Sequence, residues 1–199
     1  MGITILGGEL RGLSLKVPKG DVVRPTSVLL RRRIFDAQQD LDGYVFVDIC
    51  AGSGAVGIEA LSRGASAVYF IEPNKTVFRC LHENLEELKK KLLSENSLRP
   101  VHCKMAAAEK WISEFKISYV AMDDERRQQT ILYLDPPYEN HSLYQKIIDF
   151  LKGGWFQGEI WIESDRQKGK PSDFWQSLGV VEIKLYAQGT SYVLKGKIC

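Results

Sequence analysis

Several features that define common protein classes are missing from this sequence of 199 residues. Its four cysteines, Cys50, Cys80, Cys103 and Cys199, are widely separated, and no C-x-x-C pair or histidine cluster accompanies them. This spacing argues against a zinc module and a disulfide framework, and it favours a reducing compartment. We therefore expect a cytoplasmic protein without a bound metal ion.

Long apolar stretches and targeting signals are also missing. No apolar run approaches the ~20 residues that span a bilayer, and the opening residues, MGITILGGELRG, lack the basic and apolar regions of a signal peptide. Hydrophobic residues make up 44% of the chain and charged residues 26%, a balance typical of a folded domain rather than a disordered chain. We expect no membrane partner, and the sequence carries no signal for an oligomeric state.

Positive charge is concentrated at the start of the chain. Residues 1–33 carry seven basic side chains against two acidic ones, whereas the whole chain has a formal net charge of +2. A basic segment beside a near-neutral body suggests contact with a polyanion such as nucleic acid. A solvated basic surface explains the pattern equally well. The charge therefore indicates nucleic-acid binding only if the rest of the chain carries chemistry suited to a nucleic-acid substrate.

The beginning of the chain predicts a small extension. Alternating apolar and polar residues at 3–6 and 13–17, with glycines between them, indicate a β-hairpin. Helical spacing then runs from residue 27 to residue 38. We expect residues 1–40 to form this extension and residues 41–199 to form the main domain.

From Tyr44 the chain alternates between strands and helices. Five apolar strands are predicted, with a short helix ending near Phe115 and a polar loop at 123–129. Parallel strands need crossover helices, so this alternation predicts an α/β fold: a doubly wound, Rossmann-like sheet covered on both faces. The last two strands, 180–187 and 190–197, predict an antiparallel pair at its C-terminal edge.

A glycine-rich turn follows the first of these strands. Gly52, Gly54 and Gly57 have the spacing G-x-G-x-x-G, which allows a tight turn and a close approach of backbone amides to a ligand. Alone this spacing is weak evidence, because such turns often contain glycine for structural reasons. Glu72 ends the next strand, where a carboxylate can accept hydrogen bonds from both ribose hydroxyls or simply lie at a helix N-terminus. The turn and the acid together favour a cofactor that carries adenosine.

Two adenosine cofactors fit this pattern. A nicotinamide dinucleotide needs the glycines for its pyrophosphate, whereas S-adenosylmethionine has no phosphate and carries a charged methionine tail. Asp48, ahead of the glycines, can pair with the ammonium of that tail but would repel a pyrophosphate. A strand-end carboxylate that caps the turn is the structural alternative. Asp48 therefore favours S-adenosylmethionine and leaves the dinucleotide open.

A second motif, Asp135-Pro136-Pro137-Tyr138, ends another apolar strand. Two successive prolines fix the backbone and hold Asp135 extended. The Asp135 carboxylate and the Pro136 carbonyl can then accept both protons of an exocyclic NH₂ group, and Tyr138 can stack on its heterocycle. Such hydrogen bonds orient the nitrogen lone pair toward an electrophilic methyl group. A proline-rich strand exit without any chemistry is the alternative.

The order of these motifs resembles the RsmD family of class I S-adenosylmethionine-dependent methyltransferases. GGELRG at 7–12 and RPTSVLLRRRIFD at 24–36 narrow the resemblance to that family, and it covers most of the chain. It implies transfer of a methyl group to the exocyclic N2 of a guanine in small-subunit (16S) ribosomal RNA, within an assembled or assembling ribosomal particle.

The resemblance also implies roles for individual positions. The residues expected to hold the cofactor are Asp48, Ala51, Gly52, Ser53, Gly54, Glu72, Pro73, Met105 and Ala106. The residues expected to hold the target base and direct the reaction are Asp135, Pro136, Pro137 and Tyr138. The residues expected to bind RNA, all in the extension, are Arg11, Arg24, Thr26 and Arg31.

Alternatives to this function stay open. The enzyme could methylate another exocyclic amino group, such as adenine N6 or cytosine N4, or a protein glutamine. A non-catalytic RNA-binding protein could use the same fold. A dehydrogenase could use the glycine turn, but it leaves the Asp-Pro-Pro-Tyr motif and the basic extension unexplained.

Overall fold

The computed structural model describes residues 2–18, 27–94 and 99–199. At the N-terminus, β1 (Ile3–Thr4) pairs antiparallel with β2 (Ser14–Leu15), and α1 (Val28–Ala37) follows. The predicted hairpin is therefore present, with strands shorter than the sequence pattern indicated. Glycines between the two strands allow the chain to reverse direction within a few residues.

Seven strands form the main sheet, and the helices lie between them. The strands are β3 (Val45–Ile49), β4 (Ala67–Ile71), β5 (Val101–Lys104), β6 (Thr130–Leu134), β7 (Glu159–Asp165), β8 (Val180–Gln188) and β9 (Ser191–Ile198). The helices are α2 (Ala55–Ser62), α3 (Lys75–Ser94), α4 (Ala108–Val120), α5 (Asp124–Gln128), α6 (His141–Leu151) and α7 (Phe174–Ser177). Within the described ranges, none of these helices is long and apolar enough to cross a bilayer.

The strand order is β5-β4-β3-β6-β7-β9-β8. Strands β3 to β7 are parallel neighbours, whereas β9 runs antiparallel to both β7 and β8. The prediction of a doubly wound, mostly parallel sheet with an antiparallel C-terminal edge is confirmed. From β3 the chain winds first toward β5 and then returns to β6 on the other side, so the winding reverses between β3 and β6. Ligands of open α/β sheets bind at the carboxyl ends of the strands at such a switch point.

Helices cover both faces of the sheet and divide the core in two. One face packs against α4, α6 and α7, and the other packs against α1, α2, α3 and the hairpin. Strand β3 is buried along its whole length, as expected for a central parallel strand with helices on both sides. The apolar stripe of α3 (Leu81, Leu85, Leu88 and Leu92) lies on the second face.

The N-terminal segment is fastened to α2 by buried polar groups. The carboxylate of Glu59 accepts the amides of Leu6 at 2.8 Å and Gly7 at 2.9 Å, and Ser62 Oγ accepts the amide of Leu10 at 2.9 Å. Glu59 is fully buried, so these bonds satisfy a charge that would otherwise be costly to bury. The extension therefore packs tightly against the helix that follows the glycine turn.

Two local expectations were wrong. The segment 123–129 is not a loop, because α5 occupies most of it and Asp123 Oδ1 caps that helix by accepting the Arg126 amide at 2.8 Å. Acids at the start of this helix and arginines at its end also suit the helix dipole. Helix α4 continues to Val120 rather than ending near Phe115, since Tyr119 extends its buried face.

Candidate active site

A cavity of about 480 Å³ lies at the switch point between β3 and β6. This volume is within the range of about 300–1,000 Å³ typical of small-molecule sites. Both sequence motifs contribute to its wall: the turn after β3 provides residues 50–53, and the end of β6 provides residues 135–138. Because β3 and β6 are parallel neighbours, their carboxyl ends bring the two motifs to one edge of the sheet.

The glycine turn brings α2 unusually close to the sheet. Gly52 and Gly54 have φ values of 58° and 84°, in the left-handed region that glycine adopts at little cost. Gly57 has ordinary helical geometry, but a Cβ there would lie 2.4 Å from the ring of Phe70 on β4. The three glycines therefore have different functions: two form the turn and the third allows the helix to pack.

Glu72 lies at the cavity wall and is held by backbone amides. Its Oε2 accepts the Gly52 amide at 3.0 Å, and its Oε1 accepts the Asn74 amide at 2.8 Å. Burial raises the pKa of Glu72, and these two hydrogen bonds partly oppose the shift. A carboxylate can accept about four hydrogen bonds, so both oxygens keep capacity for ribose hydroxyls.

Asp48 lies near the end of β3 and is buried beside the same cavity. Its Oδ2 accepts the Gly57 amide at 2.9 Å, an arrangement that allows both the turn-capping and the ligand-binding hypotheses. Burial is the main factor that raises the pKa of Asp48 to about 7, and the charges of Glu72 and Glu163 raise it further. A cation bound here would stabilise the ionised carboxylate.

Cys50 links β3 to the turn in a conformation that is rare for its residue type. Among the described residues it is the only non-glycine with a positive φ, at 66°, and it lines the cavity. Such backbone strain is found most often at functional sites. Burial and the charges of Glu72, Asp135 and Asp48 raise the pKa of the Cys50 thiol, so it stays protonated and is unsuited to act as a nucleophile.

The Asp-Pro-Pro-Tyr segment forms the opposite wall. Asp135 is half-buried and lines the cavity together with Pro136, Pro137 and Tyr138. The carbonyl of Pro136 lies 3.3 Å from the hydroxyl of Tyr144, but that hydroxyl is closer, at 2.6 Å, to the carbonyl of Glu163. The single hydroxyl proton goes to the shorter contact, so the Pro136 carbonyl keeps lone pairs for another donor.

Tyr138 is held by a buried carboxylate on the neighbouring strand. Its hydroxyl donates to Glu163 Oε1 at 3.0 Å, and the hydroxyl of Tyr133 donates to the other oxygen, Oε2. Burial and the charge of Glu163 raise the pKa of Tyr138, so the phenol remains a donor. The ring is half-buried and forms part of the cavity wall.

The structure brings most of the predicted site residues to this one cavity. Those on its wall are Asp48, Ala51, Gly52, Ser53, Glu72, Pro73, Asp135, Pro136, Pro137 and Tyr138. Three predicted cofactor residues are not part of the wall. Gly54 is the N-cap of α2, Met105 is half exposed after β5, and Ala106 packs against the core on the α4 side.

The predicted RNA-binding residues have different positions. Arg11 is exposed on the hairpin, whereas Arg24 and Thr26 lie outside the described residues. Arg31 needs a correction, because it is only 1% exposed and its guanidinium donates to the carbonyl of Thr4 at 2.7 Å. Its helical phase places it on the buried side of α1 with Ile34, so it fastens the hairpin instead of facing solvent.

Sequence reasoning missed several residues of the site. Glu163 lies near the carboxyl end of an apolar strand, as Asp48 and Glu72 do, and that shared position was the available signal. Lys168 also lines the cavity, but nothing in its local sequence indicates it. Asn84 gave no signal either: its amide donates to the carbonyls of Ser53 at 2.9 Å and Lys16 at 3.0 Å, which links the glycine turn to the hairpin.

The residues present fit S-adenosylmethionine better than a nicotinamide dinucleotide. Among the described wall residues, Asp48, Glu72, Asp135 and Glu139 are acidic and Lys168 is the one basic residue. This negative lining favours a cationic cofactor and repels a pyrophosphate. Glu72 can hold the ribose, Asp48 the ammonium group and residues 51–53 the methionine tail, and the bound cofactor supplies an electrophilic methyl group.

Comparisons with known proteins point to the same class of enzyme. The model of the family described as conserved hypothetical protein 95 matches residues 3–194. Ribosomal RNA small subunit methyltransferase D of Escherichia coli is 31% identical over 174 residues, which are 85% of this chain and 78% of the relative. The protein of the same name from Haemophilus influenzae is 28% identical over 199 residues, covering 92% and 93% of the two chains.

A solved structure shows the same architecture. This is the structure of yhhF from Escherichia coli, which is described as a candidate methyltransferase. The two structures have a TM-score of 0.70 and a sequence identity of 25%, and the match covers 100% of this chain and 99% of that chain. The family model covers nearly the whole sequence, and the fold agrees with the solved structure. The chain therefore belongs to the conserved hypothetical protein 95 family, that of the RsmD-type S-adenosylmethionine-dependent methyltransferases.

Proposed function

We propose that this enzyme transfers a methyl group from S-adenosylmethionine to the exocyclic N2 amino group of a guanine in small-subunit ribosomal RNA. The observation that carries the proposal is the shared cavity: the acceptors Asp135 and Pro136 line the same cavity as Asp48 and Glu72. The names of the relatives support the choice of RNA substrate, and the acceptor pair supports an amino group as the target.

Asp135 and Pro136 act on the amino group by hydrogen bonding. The lone pair of a guanine amino nitrogen is delocalised into the ring and is a weak nucleophile. Two acceptors that bind its protons favour the geometry in which this lone pair faces the methyl group. The Asp135 carboxylate also lies where it can take the proton that the nitrogen releases after transfer.

The target base has to leave its stack to enter the cavity. Flipping a nucleotide costs a few kcal/mol, and stacking on an aromatic ring returns about 1–3 kcal/mol. Tyr138 provides the ring, and its tie to Glu163 keeps it in place before the base arrives. Recognition of the surrounding RNA then depends on shape, which favours an assembled or assembling ribosomal particle as the substrate.

The two parts of the chain have different roles in the proposed function. Residues 1–40 form the RNA-facing extension, with Arg11, Arg24 and Thr26 as contacts, and residues 41–199 form the methyltransferase domain. Ile3 lines the cavity, so the hairpin borders the path by which RNA reaches Tyr138. The cytoplasm, where ribosomal subunits assemble, is the expected location.

A methyl-acceptor assay tests this function. Purified protein is incubated with labelled S-adenosylmethionine and small ribosomal subunits that lack the modification, and the RNA is digested to nucleosides. Labelled N2-methylguanosine is the expected product. Labelled N6-methyladenosine or N4-methylcytidine would assign a different target, and binding of RNA without any transfer would identify a non-catalytic protein.

A further inference from the structure

A basic loop follows β7 at the carboxyl edge of the sheet. We use this name for residues 166–170, which include Arg166, Lys168 and Lys170. Strands β6 and β7 are parallel neighbours, so the loop lies at the same edge as Asp135–Tyr138. Lys168 reaches the cavity and forms part of its wall. Neither the glycine turn nor the Asp-Pro-Pro-Tyr motif accounts for this loop.

A buried carboxylate fixes the shape of the loop. Asp165 Oδ1 accepts the amides of Gln167 at 2.9 Å and Lys168 at 3.0 Å. Its Oδ2 accepts the hydroxyls of Thr190 at 2.6 Å and Ser191 at 2.9 Å. Burial raises the pKa of Asp165, but these four hydrogen bonds outweigh burial and hold it at about 2. The carboxylate is therefore ionised at every physiological pH.

Backbone contacts add to this rigidity. The Arg166 amide donates to the carbonyl of Thr190 at 3.0 Å, and the Gly169 amide donates to the carbonyl of Asp165 at 2.8 Å. A Cβ at Gly169 would lie 2.4 Å from Ser164 Oγ and 2.9 Å from the carbonyl oxygen of Asp165, so a larger residue there would force the loop to shift. The loop presents its cations on a preorganised backbone, which lowers the entropy lost on binding.

The three cations differ in how far they are engaged within the protein. The Arg166 guanidinium lies 5.9 Å from the ring centre of Tyr192, and the Lys170 ammonium lies 4.9 Å from that of Phe174. Lys168 is exposed, and within the described parts of the chain its ammonium has no ion pair or hydrogen-bond partner. Its charge is therefore available to a ligand.

The charge around Lys168 indicates which ligand suits it. The remaining charged residues of the cavity wall that the structure describes are acidic, namely Asp48, Glu72, Asp135 and Glu139. An RNA strand that delivers its base to this cavity brings phosphates toward those carboxylates. A cation at the rim offsets that repulsion, and Lys168 lies beside the segment that receives the base.

We propose that the basic loop binds the phosphate backbone of the RNA next to the nucleotide whose base enters the cavity, with Lys168 as the innermost contact. This inference rests on the proposed function, because it needs an RNA substrate at this site. Contacts of this kind position a strand without reading its sequence. The loop therefore complements the hairpin as a second site of RNA contact.

Methyl transfer to unmodified small ribosomal subunits at several KCl concentrations tests the loop. Lys168→Gln is expected to raise the KM for the subunits several-fold. It is also expected to reduce the slope of log affinity against log salt by roughly 0.7–0.9, the contribution of one phosphate contact. Lys168→Glu should raise KM further, and Lys168→Arg should restore wild-type values because it keeps the charge.

Lys90→Gln is the matched control. Lys90 is an exposed lysine on α3 paired with Glu87, and it lies roughly 20 Å along that helix from the carboxyl edge of the sheet. Calorimetry with S-adenosylmethionine verifies that each variant is folded. A Lys168→Gln variant with wild-type KM and salt slope would overturn the loop proposal alone. Absence of transfer by the wild-type protein would instead overturn the proposed function, and the loop proposal with it.

Discussion

The hydroxyl of Tyr138 donates a hydrogen bond to Oε1 of Glu163 at 3.0 Å. Glu163 is 2% exposed and lies on β7, whereas Tyr138 follows β6, so the bond joins two neighbouring strands at their carboxyl ends. It ties an aromatic ring of the cavity wall to the rigid centre of the sheet. The orientation of that ring is therefore set before any substrate binds.

Loss of this tie is expected to weaken RNA binding more than cofactor binding. Tyr138→Phe keeps the ring but removes one donor to the buried Glu163 carboxylate, at a cost of about 1–3 kcal/mol. We expect a rise of roughly tenfold in the KM for ribosomal subunits, with an unchanged affinity for S-adenosylmethionine by calorimetry. Glu163→Gln should have a similar effect, and the double variant should cost less than the sum of the two.

Tyr119→Phe is the control for loss of a buried phenol. The Tyr119 hydroxyl donates to the carbonyl of Arg127 at 2.8 Å and accepts the Gln157 amide at 3.0 Å, and Tyr119 is not on the cavity wall. This variant should lower stability without changing KM. If Tyr138→Phe and Tyr119→Phe have the same kinetic effect, the tie to Glu163 has no positioning role.

The sequence predicted those parts of the site that a short segment specifies by itself. The glycine turn and the Asp135–Tyr138 segment are local: their backbone constraints follow from glycine and proline, and each ends an apolar strand. The bond between Tyr138 and Glu163 and the place of Lys168 at the cavity depend on which strands are neighbours and on how loops pack, and no local pattern carries that information. Arg31 was misplaced because the run of three arginines suggested a surface, although its spacing to Phe35 puts it on the buried side of α1.

Asp135 is expected to be essential for transfer and dispensable for cofactor binding. Asp135→Ala removes one of the two acceptors for the amino group, a loss of electrostatic positioning comparable to about 10²–10³-fold in rate. Asp135→Asn should be less impaired than Asp135→Ala, because its Oδ1 can still accept one proton of the amino group but cannot take the proton that is released after transfer. Single-turnover methylation measures the rate, and calorimetry should give wild-type affinity for S-adenosylmethionine. Turnover close to wild type in Asp135→Ala would refute the role of Asp135.

Cofactor affinity is expected to rise with pH because of Asp48. Burial raises the pKa of Asp48 to about 7, and only the ionised carboxylate attracts the ammonium of the methionine tail. Affinity should therefore increase several-fold from pH 6 to pH 7.5, and the gain should level off toward pH 7.5, where an α-amino group with a pKa of about 7.7–8.0 begins to lose its proton. Binding lowers the pKa of Asp48, so a proton is released in this range.

Calorimetry at pH 6, 6.75 and 7.5, in buffers of different ionisation enthalpy, measures both the affinity and the protons released. Asp48→Asn can still accept the Gly57 amide but does not titrate. It should bind more weakly and lose the pH dependence that Asp48 provides. A wild-type affinity that does not change across this range would contradict the ionic role of Asp48.

Gly57→Ala is expected to destabilise the protein although alanine favours helices. In an open helix the change would stabilise by about 1 kcal/mol. Here the new Cβ would lie 2.4 Å from the Phe70 ring and 3.1 Å from Asp48 Oδ2, so α2 has to move away from the sheet. Overpacking of this kind costs about 1–3 kcal/mol. Urea unfolding measures the loss, and a variant at least as stable as wild type would show that the helix is not in close contact with β4.

Substitution of the buried Arg31 should lower stability, whereas substitution of the exposed Arg11 should weaken RNA binding. Arg31→Met removes the donor to the Thr4 carbonyl and the charge near Glu59, which loosens the hairpin from α2. We expect a loss of about 1–3 kcal/mol in stability and an unchanged salt slope for RNA binding. Arg11→Gln should leave stability within about 0.5 kcal/mol and reduce the salt slope by roughly 0.7–0.9 if Arg11 contacts a phosphate.

The comparison separates a structural arginine from an RNA-binding one by two independent measurements. Thermal or urea unfolding reports the first effect, and titration of labelled ribosomal subunits at several salt concentrations reports the second. A reduced salt slope in Arg31→Met, with stability unchanged, would mean that the guanidinium leaves its buried position to meet RNA. The role of Arg31 in holding the hairpin requires the opposite result, namely lower stability and an unchanged salt slope. A guanidinium that is buried and donates to the Thr4 carbonyl cannot contact a phosphate.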